Sequence, residues 1–167
     1  MPDYRRAKVP GGCYFFTVAL AERGGSLLVD RIDALRLAFQ SVRDRHAFSM
    51  PAVVVLPDHL HRLWTLPPGD ANYAMRWASI KAHFSRDLPA IERVRVSGRR
   101  KRERGVRQPR YWEHLIRDDI DVAAHVDYIH FNPVKHSLVE RASDWPHSSS
   151  HRYVQPGQLS GEWGSKL

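Results

Sequence analysis

Two histidines separated by a single residue are the first candidates for chemistry in this sequence. His59 and His61 flank Leu60 in an apolar stretch. Side chains alternate along a β-strand, so both imidazoles would project from the same face of a sheet. Two imidazoles placed in this way can share one metal ion. The chain holds 10 histidines, so chance placement of the pair is the competing explanation.

A tyrosine and an asparagine form a second pair on a stretch with helical spacing. Tyr128 and Asn132 lie four residues apart, on the same helix face if the helix extends to Asn132. Val122, Val126 and Ile129 cluster within about 60° of one another and form the predicted buried stripe. Tyr128 and Asn132 fall roughly 100–140° away from this stripe, so the tyrosine is not an obvious core residue. Packing of the tyrosine against the core is the alternative.

The elements that must position these residues alternate between strands and helices. Aromatic and β-branched runs predict strands at 13–20, 52–56, 59–66 and 111–117. Apolar residues three or four apart predict helices at 32–46, 73–88 and 121–131. Asn132-Pro133 is expected to end or kink the last helix, because a residue before proline avoids helical dihedral angles.

This order of elements predicts an α+β fold in one domain, 1–167. Four strands form an antiparallel sheet with helices packed on one face, in a ferredoxin-like (RRM-like) layout, and a C-terminal helix carries Tyr128. The predicted domain begins with a polar arm at 1–12 and ends in an irregular tail at 148–167. A basic loop at 93–110 interrupts it before the fourth strand.

The net charge of the chain is concentrated in that loop. The 167 residues include 26 Lys and Arg against 18 Asp and Glu, a formal charge of +8. Segment 93–110 holds nine basic residues and one acidic residue, so it contains the entire excess. A solvated, mobile loop is the simplest explanation, but such an arm can also grip phosphates and release their counterions.

Cysteine usage and the apolar runs limit the class of protein. Cys13 is the only cysteine, which excludes an internal disulfide and a multi-cysteine zinc site. The apolar runs 13–20 and 52–57 are too short to cross a bilayer, and the N-terminus lacks the apolar core of a signal peptide. These features predict a cytoplasmic protein without a membrane partner, whose partner is a polyanion.

Several motifs, taken in order, carry a resemblance to a known family along nearly the whole chain. They are YRR at 4–6 with PGG at 10–12, YFFTV at 14–18, LPDHLH at 56–61, YWEH at 111–114, YIHFNPVK at 128–135 and DWPHSS at 144–149. In these motifs the sequence resembles the REP-associated tyrosine transposases, which belong to the single-tyrosine HUH nuclease class that includes insertion-sequence transposases.

The resemblance implies a metal-dependent DNA reaction. His59 and His61 would bind a divalent metal, Mg²⁺ or Mn²⁺, and Asn132 would complete the site. Tyr128 would attack a phosphodiester of single-stranded DNA, leaving a 5′-phosphotyrosine and a free 3′-hydroxyl. The implied substrates are REP elements, palindromes that fold into hairpins. The resemblance also favours a monomer over a dimer and a nucleoid-associated protein.

Basic and aromatic residues outside the motif core are the candidate DNA contacts. They are Arg5, Arg6, Lys81, Arg99, Arg100, Lys101, Arg102, Arg110, Trp112, Arg117 and Lys135. Plain solvation is the alternative for each cation, and core packing is the alternative for the tryptophan. Arg62 and Trp64 alternate away from the histidine face, so structural roles are expected for both.

The sequence therefore predicts a single-strand DNA endonuclease and strand transferase. Two alternatives stay open. One is a REP-hairpin binding protein that does not cleave, and the other is a metal-dependent phosphodiesterase that uses water and has no need of Tyr128.

Overall fold

A four-stranded antiparallel sheet forms the centre of the computed structural model, which describes residues 6–21, 23–86, 88–89 and 111–154. The strands are β1 (Cys13–Ala19), β2 (Ser49–Val55), β3 (His59–Thr65) and β4 (Tyr111–Leu115). Their order across the sheet is β2-β3-β1-β4, and every neighbouring pair is antiparallel. This arrangement confirms the predicted ferredoxin-like α+β fold.

Helices cover both faces of the sheet. They are α1 (Leu27–Asp30), α2 (Ile32–Arg45), α3 (Tyr73–Arg86), α4 (Asp119–Lys135) and α5 (Ser150–Val154), with a 3₁₀ turn at Ala142–Asp144. The crossover helices α2 and α3 pack together on one face, as predicted. The tyrosine-bearing helix α4 packs on the opposite face, against β2 and β3. Among the described helices, none has the length and apolarity that a membrane crossing needs.

Side chains alternate along β3, so the strand contributes to two hydrophobic cores, one on each face of the sheet. Trp64 points to the α2–α3 side, where its ring stacks on Trp77 with 4.3 Å between centroids, and Phe16 lies 4.8 Å from it. Leu63 points to the other side and packs under Ile129 of α4. His59 and His61 point to the same face of the sheet as Leu63, because side chains alternate along a strand. The fold therefore buries both histidines beneath α4.

Helix α4 differs from the prediction at its end and in its buried face. It starts at the cap Asp118, whose carboxylate accepts from the backbone N–H of Asp121 at 2.8 Å. It continues through Pro133 to Lys135, so of the two predicted outcomes at Asn132-Pro133, an end or a kink, the end is wrong. A proline removes only one helical hydrogen bond, and the carbonyl of Asn132 still accepts from the N–H of His136 at 3.0 Å.

The buried residues of α4 also depart from the predicted stripe. Val122 and Val126 are only partly buried, whereas Ile129 and Asn132 are fully buried. Asn132 is therefore buried although it lies away from the predicted apolar stripe. The stripe was derived from apolar residues alone, and a polar side chain that the tertiary structure buries leaves no such signal.

The first part of the predicted irregular tail is ordered. Val55 donates its N–H to the carbonyl of His147 at 2.8 Å, and Ser149 donates to the carbonyl of Val53 at 2.9 Å. Segment 147–149 thus covers the edge of β2, and α5 follows it. The tail prediction is wrong over 148–154, because backbone pairing to an edge strand requires no apolar pattern. Residues 155–167 lie outside the described residues.

Candidate active site

The two histidines of β3 lie side by side at the base of the candidate site. Their ring centroids are 5.2 Å apart, and both side chains are buried. Nδ1 of His59 lies 2.7 Å from the carboxylate of Asp58, and Nδ1 of His61 lies 2.8 Å from the hydroxyl of Thr17. A carboxylate accepts, so His59 carries its proton on Nδ1 and its Nε2 keeps the lone pair. Carboxylate-oriented imidazoles are typical of metal-binding histidines.

Burial keeps both imidazoles in the neutral form that binds cations. Burial lowers the pKa of His61 to about 3, and the neighbouring charges of His59 and His136 act in the same direction. Burial also lowers the pKa of His59, although its hydrogen bond to Asp58 opposes the shift. Nε2 of His61 has no hydrogen-bond partner among the described residues. Nε2 is therefore open to a ligand, and it carries a lone pair in the tautomer in which Nδ1 donates to the hydroxyl of Thr17.

Tyr128 lies over the histidine pair and is open to solvent. Its side chain is 39% exposed, and its ring centroid lies 5.2 Å from that of His61. The ring of Phe15 lies 5.8 Å away and forms the wall on the β1 side. The ammonium of Lys135, two turns further along α4, lies 5.0 Å from the centre of the phenol ring. The tyrosine is thus exposed to solution and has a cation beside it.

Asn132 occupies the position between two residues that touch the histidines. Tyr128 contacts His61, and His136 contacts His59 with 5.2 Å between ring centroids. Asn132 lies one turn from each on the same helix, so its side chain faces the pair. The residue is fully buried, and neither amide atom has a partner within the described part of the chain. An amide oxygen beside two imidazole nitrogens suits a divalent cation.

A second cluster on the same face could also hold a cation. Ligand atoms of His114, Asp121 and His125 all lie within 4.8 Å of one another. The carboxylate is already engaged, because it lies 2.9 Å from Nε2 of His114 and accepts the backbone N–H of Arg117 at 3.0 Å. The hydrogen bond with His114 is the main cause that lowers the pKa of Asp121 to about 2. The cluster is therefore held together without a metal.

Four candidate DNA contacts in the described part of the chain fall into two groups. Trp112 and Lys135 border the site, whereas Arg6 and Arg117 lie beside acidic side chains. Trp112 is 52% exposed on the same sheet face as Phe15, which contradicts core packing. Lys135 lies beside Tyr128, as described above. Arg6 pairs with buried Glu113 at 2.8 Å, and Arg117 is largely exposed beside Asp121.

The remaining candidates lie elsewhere. Lys81 belongs to α3, on the face of the sheet opposite to Tyr128. Six candidates fall outside the described residues. They are Arg5 of the N-terminal arm and, from the basic segment 93–110, Arg99, Arg100, Lys101, Arg102 and Arg110.

Sequence reasoning missed several neighbours of the site. Asp58 directly precedes the histidine pair, and His136 follows Asn132 at helical spacing, so both left a signal that motif spacing could have revealed. No spacing in the sequence connects Thr17 and Phe15 to the site, because the pairing of β1 with β3 brings them there. Their roles depend on register rather than on sequence distance.

A strand that carries two histidines under a helix that carries a tyrosine is the arrangement expected of a single-tyrosine HUH nuclease. No family model matches the sequence. A putative REP-associated tyrosine transposase of Haemophilus influenzae is 47% identical over 98% of this chain and 94% of its own length. A REP-associated tyrosine transposase of Escherichia coli is 41% identical over 100% of this chain and 93% of its own.

A solved structure is similar over the whole fold. It is a REP-associated tyrosine transposase bound to a REP hairpin, with a TM-score of 0.81 and 39% identity, covering 100% of this chain and 95% of the other. With full-length relatives at this level of identity, the chain belongs to the REP-associated tyrosine transposases. Membership of a transposase family supports a DNA-cleaving enzyme.

Proposed function

We propose that this chain cuts and rejoins single-stranded DNA at REP-type hairpins, with Tyr128 as the nucleophile. The observation that carries the proposal is an exposed tyrosine set against two neutral histidines and a buried amide without a partner among the described residues. The solved relative is bound to a REP hairpin, which supports the same substrate for this chain. Nε2 of His61 and the amide of Asn132, which have no partners among the described residues, fit a site built for a ligand.

The proposed metal ligands are Nε2 of His59, Nε2 of His61 and Oδ1 of Asn132. A divalent ion such as Mg²⁺ or Mn²⁺ supplies charge neutralisation and orientation at a phosphate. Two imidazoles and one amide suit Mn²⁺ better than Mg²⁺ on ligand type. We favour this set over His114, Asp121 and His125, because the carboxylate of Asp121 already accepts from Arg117 and pairs with His114.

In the proposed reaction, the phosphoryl group moves from the 3′-oxygen of the DNA to the phenolic oxygen of Tyr128. The phenolic oxygen forms a bond to phosphorus, the bond from phosphorus to the 3′-oxygen breaks, the phenol loses its proton and the 3′-oxygen gains one. An unperturbed phenol is protonated at neutral pH, so a tyrosine nucleophile needs positioning and nearby positive charge. The ammonium of Lys135 places such a charge beside the ring. Attack by a 3′-hydroxyl on the phosphotyrosine reverses the step.

A labelled REP hairpin incubated with the protein and Mn²⁺ tests this proposal. The expected result is a covalent protein–DNA adduct on a denaturing gel, which Tyr128→Phe abolishes and chelation of the metal suppresses. Tyr153→Phe is the matched control, because that hydroxyl only donates to the carbonyl of Pro51, away from the site. Its adduct should form at close to the original rate.

Two other outcomes would replace the proposal. Cleavage that survives Tyr128→Phe would assign the reaction to water and make the chain a phosphodiesterase. Tight hairpin binding without any cleavage would make it a binding protein. The metal assignment has its own test, since His61→Ala should abolish Mn²⁺ binding measured by calorimetry and His114→Ala should leave it intact. The reverse pattern would move the metal to the second cluster.

A further inference from the structure

A cleft on the face of the sheet away from Tyr128 is lined by arginines. It has a volume of about 710 Å³ and lies between α2, the β2 edge and segment 146–152. Asp44 is the sole acidic side chain among the described residues that line it. The basic side chains that line it are Arg36, Arg43, Arg62 and Arg152.

Arg62 forms the floor of this cleft and is nearly inaccessible. Its side chain is 5% exposed, with the guanidinium carbon 3.5 Å from the ring centre of Phe39. One terminal nitrogen lies 2.8 Å from the sulfur of Met50, which is a weak acceptor. Its Nε has no partner, and no ion pair joins it to a carboxylate, within the described part of the chain. A buried cation without a counter-charge destabilises a fold, so such an arrangement calls for an anion.

The neighbours of Arg62 add positive charge instead of neutralising it. Burial lowers the pKa of Arg62, and the charges of Arg43 and Arg152 lower it further. Arg43 donates to the carbonyl of Phe48 at 3.3 Å, and Arg152 donates to that of Met50 at 3.4 Å. Both bonds go to neutral carbonyls, and neither guanidinium forms an ion pair with a carboxylate among the described residues. Burial lowers the pKa of His147, so the imidazole in the wall adds no charge at neutral pH.

We propose that this cleft binds one nucleotide of single-stranded DNA, with its phosphate against Arg62, Arg43 and Arg152. Arginine is suited to phosphate because its planar group donates two parallel hydrogen bonds. Partly buried Ile32 and exposed Pro146 offer apolar surface for the sugar or base, and the volume is in the range of small-ligand sites. The inference rests on the proposed DNA substrate. It assigns Arg62 a binding role where alternation along β3 predicted a structural one.

Thermal unfolding with three probes tests the assignment without requiring cleavage. The probes are inorganic phosphate, thymidine monophosphate and the dinucleotide pdTpdT, each added to wild-type protein, Arg62→Met and Arg45→Gln. Arg45→Gln is the matched control, because it removes one charge from the exposed end of α2 outside the cleft. The nucleotides should raise the melting temperature of the wild type and the control more than phosphate does, and should not raise that of Arg62→Met.

The outcomes separate the possible ligands. An equal shift with phosphate and nucleotides would assign the cleft to free phosphate and overturn the nucleotide proposal. A shift that survives in Arg62→Met, or no shift in the wild type, would also overturn it. In fluorescence anisotropy with labelled oligo-dT, Arg62→Met should bind about tenfold more weakly than Arg45→Gln, the equivalent of one charge-assisted hydrogen bond.

Two controls keep the result interpretable. Arg62→Met should fold, because it replaces an unpaired buried cation with an apolar side chain of similar length. If it does not, the rim double variant Arg43→Gln/Arg152→Gln should show the same loss of the nucleotide shift. The covalent-adduct assay is independent of these measurements. Its failure with an intact nucleotide shift would refute only the proposed reaction, and the opposite pattern would refute only the cleft.

Discussion

Asn132 is a polar residue at a buried position, where an apolar side chain would leave no hydrogen-bonding group unsatisfied. It is fully buried, and its amide has no hydrogen-bond partner among the described residues. Leaving a buried polar group unsatisfied costs about 1–3 kcal/mol. A site that keeps such a group has a use for it other than stability, and the proposed use here is to bind a metal ion.

Asn132→Leu should therefore separate stability from metal binding. We expect the free energy of unfolding of the metal-free protein to rise by about 1 kcal/mol, since the unsatisfied amide is removed. Mn²⁺ should then stabilise the variant less than the wild type. Urea denaturation with and without Mn²⁺ measures both effects. Asn132→Asp, which keeps an oxygen ligand, should retain the Mn²⁺ response, and a full response in the leucine variant would contradict the assignment.

Trp112 is an exposed aromatic residue that borders the same site. Half of its side chain is exposed, and its ring lies 6.3 Å from that of Phe15. Bases of single-stranded nucleic acids stack on such rings, and each stack contributes about 1–3 kcal/mol.

Trp112→Ala should weaken the binding of a hairpin with an unpaired extension by about tenfold, by the loss of one stack. Binding of the blunt hairpin stem should change little, and so should the melting temperature, because the side chain is not part of the core. Fluorescence anisotropy with the two DNA probes makes the comparison. Equal losses for both probes would argue against stacking on an unpaired base.

At the scale of elements, one buried arginine joins three segments. Arg76 of α3 is 1% exposed and donates to the carbonyls of His46 and Ala47, at the end of α2 and before β2. It also makes two bonds to Asp70, at 2.7 and 3.1 Å, in the connection between β3 and α3. The position of α3 on the sheet therefore depends on a charged pair and not only on the aromatic core.

Asp70→Asn should lower the free energy of unfolding by about 3 kcal/mol, because it leaves Arg76 buried without a counter-charge. The hydrogen bonds from Arg76 lower the pKa of Asp70 below its usual value. A lowered pKa means that the stabilisation is present above about pH 4 and is lost as pH falls through the native pKa. The variant should lack this acid-dependent loss.

Chemical denaturation between pH 2 and pH 7 follows both effects. Asp33→Asn is the control, because its carboxylate is exposed and pairs with Arg36 at a distance of 3.7 Å. Exposed pairs of this kind contribute little to stability. If the two variants behave alike, the pair of Arg76 and Asp70 does not hold the elements together.

At the scale of the whole molecule, charge and chemistry are placed in different parts of the chain. The net charge of +8 is contained in segment 93–110, and the rest of the sequence is formally neutral. The histidines, the tyrosine and the asparagine lie in that neutral part. Binding to the DNA backbone and reaction at the tyrosine should therefore respond to different substitutions.

Changing Arg99, Arg100, Lys101 and Arg102 to glutamine should lower hairpin affinity and flatten its dependence on salt. Each phosphate contact that is lost reduces the slope of log K against log salt by about 0.9 for a duplex stem. Titrations at several salt concentrations measure the slope. Adduct formation at saturating DNA should stay near the wild-type rate, because the substituted residues lie outside the catalytic set. An unchanged slope would exclude the segment from the DNA interface.

Local patterns were enough to predict most of the elements. The stretches 32–46 and 59–66 match α2 and β3 to within one residue, because periods of 3.6 and 2 are properties of consecutive residues. The same alternation placed His59 and His61 on one face. Errors arose where a long-range contact overrides the local pattern, as at 148–154, which pairs with the β2 edge.

The sequence by itself determined the residue types of the candidate site, the order of the strands and helices, and the family resemblance, because each depends on spacing along the chain. Only the tertiary structure decided which face of the sheet receives α4, which residues surround His61 and that Asn132 is buried. It also decided that Arg62 lies in a cleft lined by arginines. These features arise from strand register and from packing between segments far apart in sequence, and such contacts leave no periodic trace.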